Sequence, residues 1–104
     1  MSDKLTNAQL RKLKGMAQRL DAQLKVGKQG LSEAFLKAVD EELTRHELVK
    51  IKFAEFKEEK KTLAPQIAER TGAQLIMRVG NVAVFFRQNV GPERRKVQFQ
   101  EKVA

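Results

Sequence analysis

The chain has no cysteine, no tryptophan, no tyrosine and a single histidine among its 104 residues. Without cysteine there is no disulfide, no thiolate metal site and no cysteine nucleophile. His46 alone cannot furnish a zinc-type ligand set, and Asp40-Glu41-Glu42 are helical neighbours that point around their axis instead of converging. The only serines are Ser2 and Ser32. Ser32 stands where a helix needs a cap, with no base beside it. A G-x-x-x-x-G-K phosphate loop is missing too. These absences predict a non-enzyme with no catalytic residue, no metal, no cofactor and no small-molecule substrate. No apolar run approaches the roughly 18 residues of a membrane span, and Met1-Ser2-Asp3-Lys4 lacks the apolar core of a signal peptide. The expected setting is the cytoplasm, away from membranes.

What the chain does have is positive charge. It carries 21 Lys and Arg against 13 Asp and Glu, for a net +8. The excess is uneven: residues 1–30 hold seven basic and two acidic side chains, residues 31–61 seven and eight, residues 62–104 seven and three. Basic ends around a near-neutral middle point to a polyanion, because each phosphate contact releases condensed counterions. An inert basic surface is the plainer alternative. A 41% hydrophobic fraction in a chain of this length predicts one domain with a real core over residues 1–90, followed by a basic, flexible tail over 91–104.

Local patterns give the element order. Thr6 and Gln9 form a capping-box signature, and Leu10, Leu13, Ala17 and Leu20 recur at helical spacing, which predicts a helix over 7–20. Its remaining faces carry Arg11, Lys12, Lys14 and Arg19, and Gly15 sits mid-helix, tolerated or packed closely against another backbone. A short strand over 23–26 leads into Gly27-Lys28-Gln29-Gly30. Two glycines bracketing a lysine suit a loop laid along a phosphate backbone; they also suit a plain strand-to-helix turn. Ser32 caps a second helix, with Phe35, Leu36, Val39 and Leu43 as its buried stripe. In the run 48–53, Val49, Ile51 and Phe53 alternate with Lys50 and Lys52, the pattern of a strand with one buried and one basic face. Residues 57–61 read as a solvated connection, Thr62 as the cap of a third helix ending at Gly72, and residues 73–79 and 82–88 as a hairpin turning at Gly80-Asn81. The order α-β-α-β-α-β-β predicts an α/β (α+β) domain in which helices pack on a four-stranded mixed sheet.

Four blocks in order carry a resemblance: Leu13-Lys14-Gly15-Met16-Ala17, the run from Val26 through Glu33, His46-Glu47-Leu48-Val49-Lys50-Ile51-Lys52, and the run from Val79 through Arg87. Over residues 5–89 the chain resembles the CRM domain, the chloroplast RNA splicing and ribosome maturation domain, in its stand-alone bacterial YhbY-type form. The resemblance implies a fold similar to the C-terminal domain of translation initiation factor three. It implies RNA binding through a G-x-x-G loop like that of KH domains, and association with precursors of the large ribosomal subunit. Two departures stand out. Phe85-Phe86-Arg87 replaces the family's Leu-Tyr-Arg, which keeps an aromatic face without the hydroxyl, and Gln18-Arg19 replaces its frequent His-Pro.

The expected RNA-binding residues are therefore Gly27, Lys28, Gln29 and Gly30, with Lys25 and Lys28 supplying charge and Arg11, Lys12, Lys14 and Arg19 forming a basic platform. Arg78 and Arg87 are further candidates on the hairpin. Phe85 or Phe86 could stack on a base, although core packing suits a strand this apolar better. The expected partner is rRNA in precursor large subunits, bound by a monomer. An adaptor for an acidic ribosomal or assembly partner, or a DNA-binding accessory protein, are the other readings.

Overall fold

The computed structural model describes residues 5–89 and Val97. Thr6 opens helix α1 (Asn7–Gln18) through a full capping box: its hydroxyl accepts from Gln9 N–H, and the Gln9 side chain accepts from Thr6 N–H. The helix stops two residues before Leu20, whose carbonyl is instead bonded by the Lys50 ammonium at 2.9 Å. Strand β1 (Leu24–Val26) is short, and Gln23 already donates its N–H to the Lys50 carbonyl at 2.9 Å. Helix α2 (Glu33–His46) begins at Ser32, whose hydroxyl accepts from Phe35 N–H at 3.1 Å. Glu47, with a left-handed φ of 67°, then turns the chain directly into β2 (Leu48–Phe53).

Thr62 is not a helix cap. A 3-10 turn, Lys57–Glu59, runs straight into α3 (Lys60–Thr71), so the expected connection over 57–61 is already helical and Thr62 lies in the first turn. Pro65 sits inside α3, where the missing N–H costs a bond near the helix start. Gly72 closes α3 in the left-handed region at φ 72°. Strands β3 (Gln74–Val79) and β4 (Val82–Phe86) pair around a turn with Gly80 at φ 58°.

The sheet order is β1-β2-β4-β3, with β1 parallel to β2 and the other two pairings antiparallel, so the expected four-stranded mixed sheet is present. Both faces of the sheet are covered. Val26, Val49, Ile51, Phe53, Ala83 and Phe85 pack with Val39 and Leu43 of α2 and Ala64 and Ile67 of α3. Leu48, Ile76, Val84 and Phe86 pack on the other side with Leu13 and Ala17 of α1. The second face of β2 is thus not uniformly basic: Leu48 is buried there, and the half-buried Lys50 donates to the carbonyls of Ala17 and Leu20, at 3.1 and 2.9 Å. A cation is favourable at the carbonyls that end a helix, where the helix dipole is negative. Only Lys52 remains exposed on that face of β2.

Of the expected 91–104 tail, Val97 alone is described. It is 3% exposed, joins the α1-side core, and donates its N–H to the buried Glu47 carboxylate at 2.7 Å. The other Glu47 oxygen accepts from Asn89 N–H at 2.5 Å. A fully buried carboxylate persists where backbone donors satisfy it.

Candidate nucleic-acid interface

One end of the sheet gathers three loops. Residues 27–30 form a β-turn closed by Gly30 N–H to the Gly27 carbonyl at 3.0 Å, which puts Lys28 and Gln29, both exposed, at its tip. Gly30 needs to be glycine on backbone grounds, at φ 64°. Gly27 does not: its φ is ordinary, and a Cβ there would meet nothing within 4 Å. Immediately before the turn, the Val26 carbonyl accepts from both Ala54 and Glu55, at 3.1 and 3.0 Å, tying the segment after β2 to the root of the glycine loop. The third loop is joined by Phe53 N–H to the Asn81 carbonyl at 2.7 Å and by the Lys60 ammonium to the Gly80 carbonyl. A loop braced in this way presents its tip at little further ordering cost.

Behind the glycine turn lies a strip of sheet that α1 leaves open. The register pairs Lys25 with Lys52 and Lys52 with Val82, so these side chains share the α1 face; all but the half-buried Val82 are exposed. Val79, opposite Val82 on β3, extends the row and is 60% exposed. Like charges side by side across a ladder repel. A polyanion laid over Lys25 and Lys52 would remove that repulsion. Arg11, Lys12 and Lys14 on α1, and Arg19 at its C-terminal cap, are exposed, and α1 covers the same side of the sheet. The loop, Lys25 and Lys52 therefore gather at one end of the domain, and the α1 residues lie on the same side of the sheet but further from that end, over Leu48 and Phe86. The sequence marked Lys52 as basic and exposed but did not place it beside Lys25, because register is not local information.

The hairpin arginines stand elsewhere. Arg78 pairs in register with Ala83, which faces the α2–α3 core, so it projects from the opposite face. Arg87 follows Phe86, which is paired with Leu48 at the start of β2, about 17 Å of strand from the glycine-loop end. Its guanidinium binds Asp40 Oδ1 at 2.6 Å, the Thr71 carbonyl at 2.7 Å, the Thr44 hydroxyl at 2.9 Å and the Asp40 carbonyl at 3.0 Å, stitching α2, α3 and β4 together. Phe85 is fully buried and Phe86 is 3% exposed, which makes both core residues. At the N-terminus of α2, exposed Glu33 supplies negative charge that offsets part of the dipole's attraction for an anion, so Lys28 carries the charge at this end.

Among the described residues no cluster of His, Cys, Asp or Glu could hold a metal ion, and no helix is long and apolar enough to cross a membrane. His46 is exposed at the end of α2, with Nε2 3.5 Å from Glu42 Oε1. Ser32 is spent as a helix cap.

The domain is thus an α+β sheet with α1 on one face, α2 and α3 on the other, and an exposed G-x-x-G turn at the end of an edge strand. The CRS1 / YhbY (CRM) domain model matches residues 5–87, and the chain belongs to that family. A protein of Haemophilus influenzae named RNA-binding protein is 31% identical over 99 residues, covering 94% of this chain and 97% of that protein. The Methanocaldococcus jannaschii protein named Probable RNA-binding protein MJ0652 is 33% identical over 110 residues, covering 96% of this chain and 81% of its own length. Among solved structures, a hypothetical protein of Staphylococcus aureus described as a candidate RNA binder superposes with a TM-score of 0.72 at 29% identity, covering 91% of this chain and all of its own.

Proposed function

We propose that this protein binds RNA, specifically rRNA in precursors of the large ribosomal subunit, and assists their assembly as a cytoplasmic monomer. The observation that carries the reading is the braced, exposed turn of residues 27–30, with Lys28 and Gln29 at its tip and the Lys25–Lys52 pair behind it. In this mechanism the bare backbone at Gly27 and Gly30 lets a sugar-phosphate chain approach closely, while Lys28, Lys25 and Lys52 neutralise successive phosphates. The basic residues of α1 extend the track. Membership of the CRM family and relatives named as RNA-binding proteins support the ligand class. The large-subunit assignment rests on the resemblance to the stand-alone bacterial form.

The test is in-cell UV crosslinking with sequencing of the bound RNA, for the wild type beside a Lys28→Asp/Gln29→Asp variant. Discrete peaks on large-subunit rRNA that vanish in the variant are expected, with a thermal melt close to that of the wild type because both side chains are exposed at a turn tip. Peaks that persist in the variant would remove the loop from the mechanism. Co-sedimentation with ribosomal particles that survives ribonuclease would favour a protein partner.

A further inference from the structure

Phe56 is the one described phenylalanine on the surface, at 41% exposure. Phe53, Phe85 and Phe86 are buried, and Phe35 packs against the core. Its backbone is left-handed, φ 57° and ψ 39°, a conformation that bulky residues rarely adopt. Two anchors hold it there: the Val26 carbonyl fixes the two preceding N–H groups, and the Phe56 carbonyl accepts from Glu59 N–H at 3.1 Å. The ring is delivered to the glycine loop instead of the core. Its Cε2 and Cζ lie 3.5 and 3.8 Å from where a Cβ on Gly30 would be.

From this placement we infer that Phe56 is a base-stacking residue, taking the face of an unpaired nucleotide whose sugar-phosphate lies on the turn of residues 27–30. The inference rests on the RNA-binding reading above. A backbone clamp beside an open aromatic ring is the pairing that single-stranded recognition uses, because the clamp fixes the strand and any base offers the ring a π-face. The surroundings favour a base over a phosphate. Glu55, Glu58 and Glu59 line the same shallow depression as Phe56, with Lys57 the one cation beside them; the carboxylates outnumber it against phosphate and accept hydrogen bonds from base amino and imino groups. Lys28, exposed at the tip of the turn, is left for the phosphate. The competing role is a brace, in which the ring only supports Gly30.

The chain has no tryptophan and no tyrosine, so a Phe56→Trp variant carries one fluorophore at the point in question. Titrating it with a short mixed-sequence single-stranded RNA should quench its emission with the affinity that anisotropy of labelled RNA reports. Phe56→Leu keeps an apolar side chain against Gly30 but has no π-face. It should bind the single strand about fivefold or more weakly while its affinity for a blunt duplex of the same sequence and the salt slope stay unchanged. Wild-type affinity in Phe56→Leu, or unquenched emission at saturation, would overturn stacking while leaving the RNA-binding reading intact. A wild type that binds neither RNA fails on the function itself, and the stacking assignment falls with it.

Discussion

Among single residues, exposed Lys25 and Lys52 do different work from half-buried Lys50. Lys50 spends its ammonium on the end of α1, whereas Lys25 and Lys52 face solvent side by side. Replacing both with glutamine should therefore leave the melt unchanged or slightly higher, since a repulsion disappears. The same variant should flatten the slope of log affinity against log salt by about 1.5, the loss of two phosphate contacts. Anisotropy over a salt series reads this directly, and an unchanged slope would take the pair out of the interface. As candidates, Lys28 was legible from sequence because the two glycines bracket it, and Lys25 because it lies just before them. Phe56 was not, since it precedes a run of mixed charge and nothing local signals a left-handed aromatic. Glu47 was equally hidden: its carboxylate is satisfied by N–H groups 42 and 50 residues away.

At the scale of elements, α1 holds a residue with no packing reason. Gly15 is exposed, and a Cβ added there meets nothing within 4 Å, so close contact with another backbone does not explain it. Gly15→Ala should raise stability by up to about 1 kcal/mol, read by chemical denaturation, because alanine loses less entropy in a helix. No gain would mean that the helix is strained there. Elements whose signals are local were readable in advance: the capping box at Thr6 and Gln9, the Ser32 cap, the period-2 run of Val49, Ile51 and Phe53, and the stops at Gly72 and Gly80. The start of α3 was not, because a threonine in a first turn resembles a cap and the 3-10 turn before it carries no side-chain cap of its own. The second face of β2 was misread for a related reason. Only tertiary packing decides that α1 covers Leu48 and Lys50 but not Lys52.

For the whole molecule, the layering sorts charge as well as apolar surface. The exposed charges of α1 are all basic, whereas the α2–α3 side mixes exposed Glu33, Asp40 and Glu41 with exposed Lys37, Arg45, Lys61 and Arg70. On the proposed function, the unbroken positive charge of the α1 side should draw a polyanion there in preference to the mixed side. Val97 contributes to the same side, closing the α1 core from beyond the hairpin. Val97→Ala should lower stability by about 1–3 kcal/mol while the Glu47 bond, made to backbone, survives. A melt identical to the wild type would show that the α1 core does not depend on this contact. The sheet order carries one more consequence. The glycine turn hangs from β1, an edge strand of three residues paired on one side only, while β2 and β4 are flanked on both. Local opening free energies follow such differences in pairing. Among the four strands β1 should therefore be the first to exchange its amide hydrogens, with the two bonds to the Val26 carbonyl holding the root of the turn in place until it opens.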